Sequence, residues 1–489
     1  MTRRQRRILE IIPGFIAWNL ILFLVWGGYF FPTLTAYFIL AFNVYWVYKG
    51  FVGTVAIVAS HYKMKAYEHL DWMKEVEGFK DWREVKHIII LLVANEPRDT
   101  FERTIEALSH QTLPLSQIAL VMATEERFPE NTRICNEIAE GVGKKFGAAL
   151  VTVHPKDIVG EIKGKSSNEA WAAREAKRIL VDEQGWNIDH ITITSNDADA
   201  IIHKQYLACL TYKFLDDPHK YERFWQPAVV FYNNIWKLPA ATRVVNTFAT
   251  LWQMGLLSRK DRLVSFSNYS ASLKLIDQIG YWDTDVIPED YRIFFKAFFK
   301  LNGRVEVEPI FLASSADAAE STNTWKTFVN DYEQKKRWAW GVSDIPTFVE
   351  MFLANREGSP VNKLLRLWKV VEDHLLWPVN WFMITAGVTI VSIVNPAFGR
   401  TSLGYTLPRL SSWILSVTVL FLVVLLIVDM QRRPPRPAGV PRWRAWIVPF
   451  EFILMPVVGL FFGALPGLDA HTRLMLGKYI EYRITEKVK

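Results

Sequence analysis

Apolar and polar positions divide the chain into three stretches. A first apolar run covers residues 8–31, interrupted by Glu10, Pro13, Gly14 and Asn19. A second covers 33–60, with Lys49 as its one charge. Each is long enough to cross ~30 Å of hydrocarbon at ~1.5 Å per residue. Only Pro32 separates them, so they predict a tight hairpin. Residues 61–360 are polar with mixed periodicity. Apolar character then returns. Residues 361–376 alternate Leu, Trp and Val with charges and predict an amphipathic helix lying at the membrane surface. Two further spans are expected at 377–398 and 410–430. A last run, 445–468, is long enough to cross but carries Glu451, Pro449, Pro456 and Pro466. The expected organisation is a hairpin at 1–60, a soluble unit at 61–360, the amphipathic helix, a membrane region at 377–468 and a basic tail at 469–489.

Inside the soluble unit the period changes repeatedly. Residues 87–94 form a short continuous apolar run, the pattern of a buried parallel strand. Further strands are expected at 118–123, 149–154 and 190–194. Between them, helical spacing covers 99–111, 132–146 and 166–183. This βαβα rhythm predicts an α/β fold with a mostly parallel sheet covered on both faces. A further short strand is expected at 263–266, and helices at 201–215 and 291–299. Ligands of such sheets bind beyond the carboxyl ends of the strands.

Charge placement orients the chain. Arg3, Arg4, Arg6 and Arg7 precede the hairpin and Lys63 and Lys65 follow it, with no Lys or Arg between residues 23 and 48. The positive-inside rule puts both ends in the cytoplasm, which predicts a multi-pass protein of the cell membrane with its soluble unit inside. Residues 431–444, with five arginines and four prolines, read as an inside loop. If 445–468 crossed, the tail with Arg473, Lys478, Arg483, Lys487 and Lys489 would end outside; a re-entrant segment would keep it inside.

Composition narrows the classes. Of 489 residues 22% are charged, close to an ordinary globular share, and 20 Trp with 31 Phe exclude a disordered chain. Two cysteines exclude a disulfide framework and a cysteine zinc site. The net charge of +7 is mild and lends nucleic-acid binding no support.

The chemistry-bearing residues follow strands. Asn95 and Glu96 follow the first, and Asp197-Ala198-Asp199 the fourth. Two acids one residue apart at a strand end can turn toward one site and supply hard oxygens for Mg²⁺ or Mn²⁺ beside a diphosphate. The same residues read equally as a helix cap. Pro288-Glu289-Asp290 opens a helix, where acids are stabilised by the macrodipole or act as a general base. Gln334, Arg337 and Trp338 fall on one helix face, either as a membrane-surface anchor or as site residues.

In this order the motifs resemble a membrane-bound family 2 glycosyltransferase, the group of cellulose, chitin and hyaluronan synthases. The resemblance covers about residues 85–349 and the flanking spans. It implies a GT-A (Rossmann-like) domain between transmembrane helices. It implies inverting, metal-dependent transfer from a nucleotide sugar, most simply a UDP-sugar, to a growing polysaccharide, with single transfer to a membrane lipid as the alternative. Asp197 and Asp199 match the Asp-x-Asp at the donor and its Mg²⁺ or Mn²⁺, with Asp199 the direct ligand. Asp290, beside Glu289, matches the base, with Pro288 where the family has Thr. Gln334, Arg337 and Trp338 match the Gln-x-x-Arg-Trp motif, which holds the diphosphate and stacks on the acceptor. Lys165 matches the Gly-Lys segment at the donor, joined there by Asn95 and Glu96, and Asn268 and Ser270 lie where the family shapes the acceptor site. Where many members carry an Asp-Asp that reads the base, this chain has Thr124-Glu125-Glu126.

Overall fold

The computed structural model describes residues 1–481; Arg483, Lys487 and Lys489 of the basic tail lie outside them. Eight strands form one sheet: β1 (Lys86–Leu92), β2 (Ile118–Glu125), β3 (Ala148–His154), β4 (Ile191–Asp197), β5 (Ile201–Ile202), β6 (Arg223–Val230), β7 (Tyr269–Ser272) and β8 (Glu306–Ser315). Their order is β3-β2-β1-β4-β7-β6-β8-β5. The first four pair in parallel. β7 then runs antiparallel to both β4 and β6, so the second half of the sheet is mixed where the rhythm predicted parallel pairing.

The apolar runs explain the buried half. In β1, Ile88 and Ile90 enter one hydrophobic core and Ile89 and Leu91 the opposite one. Alternation across a strand buried on both faces produces this split. The strand expected at 263–266 does not form; pairing begins at Tyr269, opposite Ser195 of β4. The intervening residues make a turn in which Ser267 takes a positive φ of 55°.

Register sets the site. Leu92 of β1 lies opposite Asp197 of β4, so the two carboxyl ends form one edge. β1 has β2 on one side and β4 on the other, which makes this edge the topological switch point, where open sheets bind ligands.

Among the described residues five helices are long and apolar enough to cross a membrane: Arg3–Phe30, Pro32–His69, Pro360–Val394, Ser402–Arg432 and Arg442–Leu476. The third runs unbroken where an amphipathic helix and a separate span were expected. A π-helical stretch at Phe382–Ala386 follows Pro378 and absorbs the missing backbone donor. At the hairpin tip the amide of Asn395 donates to the Tyr29 carbonyl at 3.2 Å.

The segment Arg442–Leu476 is different. It bends at Pro449 and Pro456 and contains another π-helical stretch, Gly459–Ala464. It touches the soluble unit through Arg243 to Glu451, Phe328 to Phe462 and Lys336 to Asp469, and the first and third apolar helices through Trp18 to Thr472 and Trp377 to the Gly463 carbonyl. It ends where Arg7 donates to the Leu474 carbonyl at 2.8 Å, beside the arginine-bearing start of the first helix. Gly14 permits that approach, since a Cβ there would stand 2.6 Å from the His471 carbonyl oxygen.

Candidate active site

One cavity of about 870 Å³ opens at the sheet edge. It is lined by Glu96, Lys165, Asp197, Asp199, Glu289, Asp290, Gln334, Arg337 and Trp338, nine of the twelve residues singled out from the sequence. Asn95 is exposed and does not line it. Asn268 and Ser270 are fully buried behind it. The Asn268 amide oxygen accepts from the Asp197 backbone N–H at 2.8 Å, and Ser270 bonds Thr194 and Tyr206 at 2.7 and 2.8 Å. Both lie behind the wall of the cavity, Ser270 on a paired strand.

The expected base lies at a helix start. Pro288 precedes Glu289–Lys300, leaving Asp290 in its first turn. Its carboxylate accepts from the backbone N–H of Tyr291 and of Ser267, both at 2.8 Å, which fixes both oxygens. Ser267 also donates through its hydroxyl to Asp197 at 3.0 Å, and its carbonyl accepts from Lys165 at 3.1 Å. A single residue in the left-handed region thus ties Asp290, Asp197 and Lys165 together. The reading of the sequence missed Ser267, for φ is not visible in a composition that reads as the end of an apolar run.

Lys165 opens the helix Lys165–Lys177. Its ammonium lies 2.9 Å from Asp197 and 3.1 Å from Glu289, with 13% of the side chain exposed. Burial pushes the Glu289 carboxyl up to about 7, with Asp290 adding to the rise and Lys165 opposing it. Burial likewise pushes Glu169 up to about 8. Asp199 is buried, and its Oδ2 accepts from the Asp317 backbone N–H at 2.8 Å. Asp317 in turn pairs with Arg103 at 2.9 Å.

The helix Thr324–Ala339 is capped by Asn323, whose side chain accepts from Lys326 N at 2.9 Å. It presents Gln334, Arg337 and Trp338 to the cavity. The indole of Trp338 lies against Phe231 with ring centres 5.9 Å apart, and the Lys335 ammonium sits 3.6 Å from its centre. Burial holds Lys335 below the ordinary lysine range and raises Asp331, one turn earlier. Neither residue was singled out beforehand; spacing alone makes Lys335 look like a membrane-surface lysine. At the other end of the cavity Glu125 is buried and accepts from Arg127 Nε at 2.9 Å.

Among the described residues no three His, Cys, Asp or Glu side chains converge into a cation site of protein groups alone. The edge offers hard carboxylate oxygens from Asp197 and Asp199, a donor set that suits Mg²⁺ or Mn²⁺ when a ligand's oxygens complete the shell.

Residues 192–428 match the model for glycosyl transferase family group 2, from β4 into the fourth apolar helix. No curated protein matches the chain significantly. Among solved structures, the chain is similar to a mannosyltransferase from Pyrobaculum calidifontis in complex with GDP-Man and Mn²⁺. The identity is 13%, 81% of this chain and 100% of that one are covered, and the TM-score is 0.41. It is also similar to S. aureus TarS residues 1–349 in complex with UDP-GlcNAc, at 12% identity, 82% and 94% coverage and a TM-score of 0.35. The match falls on a mixed GT-A-like sheet flanked by apolar helices, and the protein is a glycosyltransferase.

Proposed function

We propose that this enzyme transfers a sugar from a nucleotide sugar, with inversion, to an acceptor at the cytoplasmic face of the membrane. The supporting observation is the single cavity shared by Asp197, Asp199, Asp290, Arg337 and Trp338, walled on one side by membrane helices. The donor's diphosphate sits at the Asp197–Asp199 edge, and Gln334 and Arg337 approach it from the facing helix. A divalent cation held there by Asp199, with Asp197 beside it, would neutralise charge on the leaving β-phosphate. Arg337 supplies fixed positive charge to the same oxygens. Asp290 takes the proton of the attacking hydroxyl. Attack opposite the leaving group inverts the anomeric centre, and Trp338 gives the acceptor sugar or headgroup an apolar face. The donor in this reading is a UDP- or GDP-sugar.

For topology, the contacts of Arg442–Leu476 favour a re-entrant segment that returns to the catalytic side. This keeps the described part of the basic tail with the other inside charges. The catalytic unit is then residues 61–360.

The test is a donor screen on the detergent-purified protein with Mn²⁺ or Mg²⁺, several UDP- and GDP-sugars and membrane lipid, reading released nucleoside diphosphate. Release with one donor, lost in Asp290→Asn, is expected. Cleavage of no donor would overturn the proposal.

A further inference from the structure

We propose that Asp331 is a positioning residue for the acceptor side of the cavity: it keeps the Lys335 ammonium charged against the Trp338 ring, and acceptor binding depends on that charge. The inference rests on the acceptor role given to Trp338 above and adds two residues that lie outside the Gln-x-x-Arg-Trp pattern.

Helical spacing builds the group. Asp331, Lys335 and Trp338 follow one another at offsets of four and three on the helix Thr324–Ala339, so they share a face. The cavity is lined by Lys335 and Trp338, while Asp331 is fully buried outside the lining. Lys335 is itself only 3% exposed. Its ammonium stands 3.6 Å from the Trp338 ring centre and 6.0 Å from that of Phe231, which packs on the same indole. Among the described residues its hydrogen bond to the Gln334 amide oxygen is long, at 3.5 Å.

A buried lysine ordinarily forms a close ion pair or gives up its proton. Neither Asp331 oxygen accepts a hydrogen bond from a described residue, although Thr242 and Asn246 of the helix Ala240–Leu257 stand beside it. The two charges therefore act on each other across a gap. Burial holds Lys335 below the ordinary lysine range, with Asp331 opposing the fall and Arg337 adding to it. Burial raises Asp331, with Lys335 opposing the rise. Each member thus keeps the other ionised.

The neighbouring charges are engaged elsewhere. On the same helix Glu333 pairs with Lys336. Of the elements packed on that helix, Ala240–Leu257 brings Arg243, paired with Glu451, and Trp340–Asp344 brings Asp344, paired with Arg292. Leu465–Leu476 brings His471 and Asp469, the latter paired with Lys336 and Arg473. Among the described residues this leaves Asp331 as the anion that supports Lys335.

The function follows from what the ammonium touches. A desolvated cation–π contact fixes the plane of the indole, and that plane sets where an acceptor sugar stacks. The contact is present while Lys335 is protonated and is lost as pH rises through its folded pKa. Removing the Asp331 charge lets the proton leave at lower pH.

The experiment uses full-length protein in phosphatidylcholine vesicles with a small fraction of total membrane extract as the acceptor source and a donor labelled in the sugar. Label in lipid or polymer reads transfer, and nucleotide-sugar Kd reports the donor side and folding. In the wild type transfer should fall by up to about thirtyfold, the scale of a desolvated cation–π contact. The midpoint of the fall should lie below the ordinary lysine value of about 10.4. Asp331→Asn should move that midpoint to lower pH by about 1–3 units. Lys335→Arg keeps a cation that does not titrate in this range and should flatten the fall. Adding Asp331→Asn to Lys335→Met should cost no further transfer, since the first acts through the second. Donor Kd should stay at its wild-type value throughout. An unmoved midpoint in Asp331→Asn, or a further loss in the double variant, would overturn the positioning role. A fall that persists in Lys335→Arg would overturn Lys335 as the group that titrates. An equal weakening of donor Kd would place the pair on the donor side and overturn the inference, leaving the proposed function standing. Absence of donor cleavage in the wild type would overturn the proposed function and the inference with it.

Discussion

Replacing Lys165 with methionine removes the cation around which the buried acids of the site are arranged, and nearly keeps its volume. The ammonium touches Asp197 and Glu289 at 2.9 and 3.1 Å. Removing one partner of a buried pair costs about 3–5 kcal/mol. Two features reduce that here. Asp197 is 31% exposed, so water takes over part of its solvation. Glu289 and Glu169, already raised to about 7 and about 8, bind protons more readily once the cation is gone. An acid raised above its unfolded value confers stability that is complete below that value and is lost as pH rises through the folded pKa. In the wild type that loss begins above the unfolded carboxylate range and ends near 7 for Glu289 and near 8 for Glu169. In Lys165→Met it continues to higher pH, so the two proteins diverge above neutrality. We expect a deficit of about 1–2 kcal/mol near pH 6, mostly from Asp197, growing to about 3–4 kcal/mol near pH 8.5. Thermal unfolding of the detergent-solubilised chains, followed by tryptophan fluorescence, should show a Tm gap that widens by several degrees across this range, at ~2–4 °C per kcal/mol. Adding Glu289→Gln should remove most of the widening. A gap independent of pH, or a coupling between the two substitutions below ~0.5 kcal/mol, would refute the reasoning.

Three further outcomes are expected. Asp290→Asn should lower kcat by about 10²–10⁴-fold with donor Kd unchanged; a kcat close to wild type would remove it as the base. Lys335→Met, which takes the ammonium from beside the Trp338 ring, should raise acceptor KM by up to about thirtyfold, since a desolvated cation–π contact contributes about 2 kcal/mol. Lys335→Arg should restore most of that affinity, and an equal rise in donor KM would assign the lysine to the donor instead. Dialysis against EDTA should stop nucleoside diphosphate release and Mn²⁺ or Mg²⁺ should restore it, with Asp199→Asn needing more metal for half-maximal rate. Full turnover after exhaustive chelation would exclude the metal.

The half of the sheet that could be read from sequence is the parallel half. There β1 and β2 are continuous apolar runs, β4 alternates Ile with Thr, and Glu96 and Asp199 follow neighbouring strands, so their meeting at one edge follows from parallel pairing. The other half obeys partners rather than pattern. Residues 263–266 look like a strand, but the chain uses them to carry Ser267 into a left-handed turn, and pairing starts only at Tyr269. Ser270 accordingly takes a paired strand position behind the wall of the cavity. β6 and β8 each contain a proline and pair through a register shift at Pro227, features that argue against a central strand when read alone. Lys335 was equally opaque, since a lysine beside an aromatic reads as an interfacial anchor until the fold buries it.

The apolar helices do more than anchor the catalytic unit. Arg243 on the helix Ala240–Leu257 pairs with Glu451 in a fully buried contact, and Phe248 on the same helix meets Phe452 with ring centres 5.5 Å apart. Tyr232, just past β6, donates to Asp429 near the end of the fourth apolar helix at 2.7 Å, and Arg432 beside it contacts His61 and Glu68. Separating the two parts would strand these charges in an apolar surface, where an unpaired ion is far costlier than the pair. The same surfaces form one wall of the cavity, where Gly53, Phe248 and Gly463 join Asp290 in the lining. On the proposed reading, a catalytic sheet lacking its membrane helices would keep the carboxylate edge at β1 and β4 and would lose the wall that stands opposite it.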